Sequence, residues 1–120
     1  MIPQNIQKYL LQFRQEVDNE LVSILDWWMQ YMPAPADDGF HGGIGNRMDI
    51  LVDAPRGLVL NSRILWTFSA AYTHRADHRY FVMAERAFHY LLRHFDDKEY
   101  GGMYWSVSDK GTPLEDKKQA

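Results

Sequence analysis

Arg63 is the residue whose position best suits it to chemistry. A helix is predicted to begin near Asn61 or Ser62, either of which can cap its first free amides, so that Arg63 lies in its first turn. A cation is unfavourable there, because the free amides already carry about half a positive charge. This unfavourable position of the Arg63 charge predicts an oxygen-rich partner, either sugar hydroxyls or an oxyanion forming on a substrate carbonyl. The alternative is a salt bridge to Asp38 or Asp49.

Five histidines raise the question of a metal site. His74 and His78 have the i,i+4 spacing of a helical ligand pair, but a helix break is predicted between them and a third ligand is missing. We therefore expect no metal and no cofactor. His89 and His94 are five residues apart and point to different helix faces. His41 lies in a glycine-rich loop, where a structural hydrogen bond is favoured over proton transfer.

Acidic residues beside glycines form a second candidate group: Asp37, Asp38, Asp96, Asp97 and Glu99. Two of them could form the carboxylate pair of a glycosidase. Loop acids next to glycine more often stabilise turns, which is the favoured interpretation.

Three aromatic residues could stack on a sugar ring. Trp66 falls at helical spacing and is expected in the core. Tyr104 and Trp105 point to opposite faces of a predicted strand, so that one of them is expected to be exposed. Tyr104 is our candidate for substrate binding, together with Arg63.

Three amphipathic helices must position these residues. Apolar residues at steps of three and four predict helices over about 5–32, from 61 to about 74–76, and from an N-cap at Asp77 to just before Asp96. Pro33 and Pro35 end the first helix.

Loops and one hairpin connect and follow the helices. Glycine, proline and aspartate across 34–60 predict a long loop with a small hairpin. A strand near 103–108 with the turn Asp109-Lys110-Gly111 predicts a second hairpin. The polar stretch from Glu115 to Ala120 ends without a cap or a helix breaker, which is expected of a fragment.

Two similar loops suggest a repeat. Asp38-Gly39-Phe40-His41-Gly42-Gly43-Ile44 and Glu99-Tyr100-Gly101-Gly102-Met103-Tyr104-Trp105 are about 60 residues apart, the length of a helical hairpin. Alternating helix directions would place both loops, and the start of the second helix, at one end of the layer. Long loops at one end are where a binding site is expected.

Composition excludes several classes of protein. A chain of 120 residues forms one domain at most. Its net charge of −3 gives no basic surface for nucleic acid. The absence of cysteine excludes disulfides and thiolate chemistry. Neither a signal peptide nor a membrane span is evident, so a cytoplasmic location is expected.

The segment from Gly57 to Tyr72, with Ser-Arg-Ile-Leu-Trp at its centre, resembles the N-terminal segment of cellobiose 2-epimerases, within the N-acylglucosamine 2-epimerase superfamily. Gly39-Phe40-His41-Gly42 and Tyr100-Gly101-Gly102-Met103-Tyr104-Trp105 support the resemblance by their order and spacing. It implies an all-α fold, in which residues 1–120 are the N-terminal fragment of one (α/α)6-barrel catalytic domain.

The resemblance also implies an activity. Such enzymes interconvert glucose and mannose at the reducing end of a disaccharide, removing and returning the C2 proton through an enediol with a pair of histidines. None of the five histidines here matches that pair, so the isolated chain is expected to be inactive. Arg63 does match, and is expected to face the sugar and stabilise the enediolate.

Two alternatives stay open. The chain could be a non-catalytic helical module that binds a sugar or associates with itself, or it could derive from a related mannose or N-acylglucosamine enzyme. Self-association is expected through apolar surface of the first helix, whose end carries Trp27, Trp28, Met29, Tyr31 and Met32.

Overall fold

The computed structural model describes residues 1–118, and the chain divides into two compact units, Met1–Tyr31 and the part that begins at Met32. The first unit is a single helix, α1, over Gln4–Tyr31. Its N-terminus is held by the Gln7 side chain, which donates to the carbonyl of Ile2 at 2.7 Å. Pro33 follows two residues after the helix ends, so the predicted helix and its proline stop are confirmed.

Much of the apolar surface of α1 is exposed, although Leu25 is buried. Exposed apolar side chains occur along the whole helix and include Ile6, Tyr9, Phe13, Ile24 and Tyr31. Near its end, the Trp27 ring packs on the rings of Trp28 and Tyr31, at centroid distances of 6.0 and 5.3 Å. Association of copies through this helix stays a prediction.

The segment from Met32 to Pro55 is a loop with little regular structure. Isolated bridges pair Pro33 with Phe40 and Ile44 with Ile50, and the second is the small hairpin predicted here. The Arg86 side chain donates to the carbonyls of Ala34, Asp37 and Gly39 at 2.7–3.1 Å. The loop is therefore held by hydrogen bonds from a residue far along the chain.

A helical hairpin follows, formed by α2 (Leu58–His74) and α3 (His78–Tyr90). The short link between them makes them neighbours, and the rings of Phe68 and Tyr80 meet at 6.1 Å across the pair. Asp77 caps α3 as predicted, its side chain accepting from the amide of Arg79.

The predicted start of α2 at Asn61 or Ser62 is wrong, because α2 begins at Leu58. No side chain caps it. Instead the Leu58 amide donates to the carbonyl of Trp105 at 2.9 Å, so a distant residue just before a strand satisfies the first free donor. Asn61 lies within the helix, buried, and donates back to the carbonyl of Gly57 at 2.8 Å.

A three-stranded antiparallel sheet adjoins the hairpin, in the order β1 (Arg56–Gly57), β2 (Ser106–Val107), β3 (Pro113–Glu115). The predicted second hairpin is β2–β3, and its turn places Gly111 at φ +84°. β1 was not predicted as a strand; it pairs with β2 and leads directly into α2.

Between α3 and the sheet, Leu91–Phe95 forms a π-helical turn. Tyr90, Leu91, Phe95 and Val107 form a buried cluster there, with Leu58, Leu65 and Met103 packed on it. The third helical segment thus ends before Asp96, as predicted. Residues 119 and 120, the end of the predicted polar stretch, lie outside the described residues.

None of the helices within residues 1–118 combines the length and the apolar content that crossing a lipid bilayer requires.

Candidate functional site

One face of α2 presents Arg63 in a shallow surface depression of about 640 Å3. The residues that line this depression, which we call the α2 surface, are Leu58, Val59, Ser62, Arg63, Trp66 and Thr67. They recur at steps of three and four, so the helix itself brings them to one side. The surface combines a cation, two hydroxyls, an indole and aliphatic carbon, which is the set of groups that sugars contact.

Arg63 is exposed, and within residues 1–118 its guanidinium has no ion pair or hydrogen bond. The alternative of a salt bridge to Asp38 is wrong, because that carboxylate pairs with Arg93. Asp49 forms no ion pair with it either. The donors of the Arg63 guanidinium are therefore unoccupied by the described residues.

Arg63 is the sixth residue of α2 and lies in the second turn rather than the first. The prediction that Arg63 lies towards the loop-bearing end of α2 is confirmed. The α2 N-terminus adjoins Trp105 and β1, whereas the link to α3 lies at the opposite end. The helix simply starts three residues earlier than the capping pattern indicated.

Trp66 was predicted to be part of the core, and this is wrong. Its side chain is 72% exposed. The buried stripe of α2 is formed instead by Asn61, Ile64, Phe68 and Ala71. Trp66 lies three residues after Arg63 and offers an open indole face beside the guanidinium.

Tyr104 and Trp105 are both half-buried, and a lysine covers each ring. The ammonium of Lys118 lies 4.8 Å from the centre of the Tyr104 ring, and that of Lys117 lies 4.8 Å from the Trp105 ring. Partial burial and the nearby Asp97 raise the pKa of the Tyr104 hydroxyl. A sugar stacking on either ring would have to displace a lysine.

A buried ionic cluster lies beside the sheet, and no motif in the sequence predicted the pairing of its residues. The Arg56 side chain is 2% exposed and donates to both carboxylate oxygens of Asp37, at 2.9 and 3.0 Å. It also donates to the Tyr90 hydroxyl at 3.0 Å. The hydrogen bonds from Arg56 lower the pKa of Asp37, while burial raises the pKa of Tyr90. We call these three residues the Arg56 cluster.

His41 is also buried, and desolvation lowers its pKa so that the neutral imidazole is favoured. Its Nδ1 atom meets no hydrogen-bonding group of residues 1–118. The predicted structural hydrogen bond of this side chain is therefore absent at Nδ1.

Two of the five loop carboxylates, those of Asp37 and Asp97, stabilise turns, as the favoured interpretation predicted. Asp37 accepts from the amide of Gly39 at 2.7 Å. Asp97 accepts from the amides of Glu99 and Tyr100, and from Lys118. Those bonds, led by the one from the Tyr100 amide, lower the pKa of Asp97. Carboxylates engaged in this way do not form a glycosidase pair.

The histidines that had helical ligand spacing lie on different helices. His74 is the last residue of α2, and His78 is the first of α3, where its ring stacks on Phe81. Within residues 1–118, no three side chains of the metal-binding types come together.

The family profile of N-acylglucosamine 2-epimerase (GlcNAc 2-epimerase) matches residues 39–120, more than half of the chain. The chain belongs to this family. The match includes the second part of the loop, the whole α2 surface, α3 and the sheet.

Similar proteins and solved structures support the assignment of the chain to this family. A cellobiose 2-epimerase from Bacteroides fragilis is 45% identical over 107 residues, covering 88% of this chain and 27% of that relative. The structure of cellobiose 2-epimerase from Spirochaeta thermophila matches with a TM-score of 0.86 and 35% identity, over 94% of this chain and 28% of that one. Cellobiose 2-epimerase from Bacillus thermoamylovorans matches with a TM-score of 0.82 and 32% identity, over 87% and 27% respectively.

These matches establish the fold class that the sequence indicated. The chain is mostly helical, with a small sheet, and its structural neighbours are (α/α)6-barrel epimerases. It spans about a quarter of the length of the relatives it matches.

Proposed function

We propose that this chain is the N-terminal part of one (α/α)6-barrel catalytic domain that epimerises the reducing-end sugar of cellobiose-type disaccharides. The reaction exchanges glucose and mannose by removal and return of the C2 proton through an enediol. The general acid and base belong to parts of the domain outside residues 1–120. This chain contributes electrostatic stabilisation and sugar contacts.

One observation carries the proposal: Arg63 is an exposed guanidinium without a partner in residues 1–118, on a helix face shared with an open indole. Loss of a C2 proton moves negative charge onto the oxygen of the adjacent carbonyl. A guanidinium donates two hydrogen bonds to such an oxygen and stabilises its charge, and this stabilisation grows as the charge develops. Arg63 is therefore assigned to the enediolate.

Trp66 supplies the second contact. A pyranose has a face of C–H groups that packs on an aromatic ring, and its hydroxyls are left free for polar neighbours. Ser62 and Thr67, on the same surface, supply hydroxyl groups for these. Tyr104 is assigned a further contact through its hydroxyl, after displacement of Lys118.

A chimera tests the proposal. Residues 1–118 replace the matching segment of the Bacteroides fragilis cellobiose 2-epimerase, and conversion of cellobiose is measured. We expect the chimera to be active and Arg63→Ala to lower kcat by about a hundredfold to a thousandfold, the usual effect of removing one donor to a developing oxyanion. Arg63→Lys, which keeps the charge without the paired donors, is expected to recover part of it.

Arg75→Ala is the matched control, because Arg75 is exposed at the other end of the same helix. It is expected to keep full activity. A folded chimera in which Arg63→Ala and Arg75→Ala have equal kcat would contradict the assignment. Conversion of mannose or of an N-acylglucosamine, without conversion of cellobiose, would favour a related enzyme instead.

The isolated chain gives a complementary test. In heavy water with cellobiose we expect no deuterium at C2 of the reducing sugar, because proton removal needs a positioned base. Incorporation that Arg63→Ala abolishes would show that the chain carries its own base.

A further inference from the structure

The position of Arg63 depends on how α2 is held, because its side chain has no hydrogen bond or ion pair within residues 1–118. A donor to a developing oxyanion must be placed accurately, and a displacement of about 1 Å can lower a rate about a hundredfold. The C-terminal part of α2 packs on α3, where Phe68 meets Tyr80. Arg63 lies nearer to the N-terminal end, so the contacts at that end decide where its side chain begins.

The N-terminal end of α2 is held from outside the helix. No side chain caps it, and Gly57 occupies the N-cap position. The Leu58 amide donates to the carbonyl of Trp105, and the strand β1, which ends at Gly57, pairs with β2. Because β1 has only two residues, this backbone pairing supplies few hydrogen bonds.

The side chain of Arg56 adds an anchor two residues before α2 begins. It donates to both carboxylate oxygens of Asp37 and to the Tyr90 hydroxyl, at 2.9–3.0 Å. Paired bonds between a guanidinium and a carboxylate fix direction as well as distance. Asp37 belongs to the Met32–Pro55 loop, and Tyr90 is the last residue of α3, so Arg56 ties the start of α2 to two other segments.

Packing provides a second connection to the α2 surface. Tyr90 belongs to the buried cluster between α3 and the sheet, and Leu58 packs on that cluster. Leu58 also lines the α2 surface. Arg56 is therefore linked to this surface along the backbone and, through Tyr90, by side-chain packing.

We propose that Arg56 is a positioning residue for Arg63. Through its bonds to Asp37 and Tyr90 it fixes the start of α2, and so the place from which the Arg63 guanidinium meets the enediolate. Arg63 follows Leu58 by five residues, about 7.5 Å along a stiff helix, so a movement at Leu58 is passed on to Arg63. The proposal rests on the function proposed for Arg63.

Hydrogen exchange of the 15N-labelled chain tests whether Arg56 holds this end of the helix. The Ser62 and Arg63 amides report on it, because helical amides bond to the carbonyl four residues earlier, here in the first turn. Arg56→Lys keeps the charge but lacks the forked donors. We expect it to speed exchange of these two amides about tenfold relative to the Tyr72 amide, near the other end of α2.

Asp77→Ala is the matched control, because it removes the cap of α3 and lowers stability at the far end of the helical hairpin. It is expected not to speed exchange of Ser62 and Arg63 relative to that of Tyr72.

The chimera with the Bacteroides fragilis enzyme tests the role in the reaction. We expect Arg56→Lys to lower kcat about tenfold and to change KM less, because Arg63 acts on charge that develops after the sugar has bound. In the Arg63→Ala background, Arg56→Lys is expected to lower kcat no further, within about twofold. A purely structural role would lower kcat by the same factor in both backgrounds. Asp77→Ala is expected to keep full kcat.

Tyr90→Phe is the milder variant and decides the question if Arg56→Lys does not fold. It removes the hydroxyl that accepts from Arg56 and keeps the ring in the buried cluster. We expect kcat to fall severalfold, and again only where Arg63 is present.

Equal losses of kcat with and without Arg63 would overturn the proposal, and so would unchanged exchange of the Ser62 and Arg63 amides in Arg56→Lys. Full activity of Arg63→Ala would overturn the proposed function as well. Loss of activity in Arg63→Ala with none in Arg56→Lys would overturn the positioning role alone, so the two failures are distinguishable.

Discussion

Arg56 and Arg63 lie seven residues apart in the sequence, on either side of the start of α2, and their surroundings are opposite. The Arg56 side chain is buried and bonded to Asp37 and Tyr90. Arg63 is exposed and has no partner within residues 1–118. Arg56 therefore uses its hydrogen-bond donors within the fold, whereas the donors of Arg63 are unoccupied by the described residues.

The difference shows how an arginine's environment indicates its role. A guanidinium with its charge matched by a neighbour contributes to stability, and its removal leaves other buried groups unpaired. A guanidinium without a partner contributes little to folding, and we attribute the presence of Arg63 on an ordered helix, beside an open indole, to the ligand proposed for it. Unfolding measurements on substituted chains test this contrast.

Asp37→Ala is expected to have the largest effect, because it leaves the buried Arg56 charge without its partner. We expect the free energy of unfolding to fall by about 2–4 kcal/mol, less than for a wholly buried pair because a third of the Asp37 side chain is exposed. Asp38→Ala, which removes an exposed carboxylate from its pair with Arg93, should leave the urea midpoint nearly unchanged. Equal losses for these neighbouring substitutions would contradict the contrast.

Gly39→Ala tests how closely the Arg56 cluster is packed. A Cβ atom at Gly39 would lie 2.4 Å from Arg56 Nη1 and 2.6 Å from the Tyr90 ring, so both must move. We expect a loss of about 1–3 kcal/mol, typical of overpacking. Gly43→Ala in the same loop meets only Leu51, at 3.8 Å, and thermal unfolding should show little change. A stable Gly39→Ala protein would mean that the cluster is loosely packed.

His41 is expected to give the molecule a pH-dependent stability. Burial lowers its pKa below 6.5, so as pH falls through 6.5 the unfolded chain binds a proton that the folded chain does not. The free energy of unfolding should therefore fall below pH 6.5, by at most about 1.4 kcal/mol per pH unit from this residue. Urea titrations between pH 8 and 5 should show a shallower slope for His41→Asn, with His89→Asn unchanged.

Arg63→Ala is expected to have the smallest effect on stability, within about 0.5 kcal/mol, because no hydrogen bond or ion pair among the described residues is lost. The same denaturant titration checks this. A loss as large as that of Asp37→Ala would show that Arg63 is a structural residue, and would remove the reason for assigning it a ligand.

Periodicity predicted the helices well. The helices α2 and α3 each bury one stripe along their length, and α1 has the same apolar spacing, although most of its apolar side chains are exposed. It predicted the start of α2 poorly, since the acceptor for the Leu58 amide is Trp105, nearly fifty residues later in the chain. Local capping rules cannot identify an acceptor supplied by a residue from another part of the sequence.

The site was predicted in part. The position of Arg63 near the loop-bearing end of α2 followed from the helix pattern, but the exposure of Trp66 did not, because spacing alone does not tell which side of a helix is covered. In the Arg56 cluster, Arg56 is 19 positions from Asp37 and 34 from Tyr90, so no local motif predicts it. The Asp-Asp-Gly sequence at 37–39 did signal the turn that presents Asp37.

The bonds from Arg86 to the Met32–Pro55 loop have a consequence for synthesis. The carbonyls they hold lie 47 to 52 residues earlier in the chain. At about 5–20 residues per second, Arg86 leaves the ribosomal exit tunnel roughly 3–10 s after the loop does. During that interval the loop carbonyls are hydrated and the backbone is open to proteases. Limited proteolysis of stalled nascent chains should cut the loop until Arg86 has left the exit tunnel, and protection before then would show that other contacts order it first.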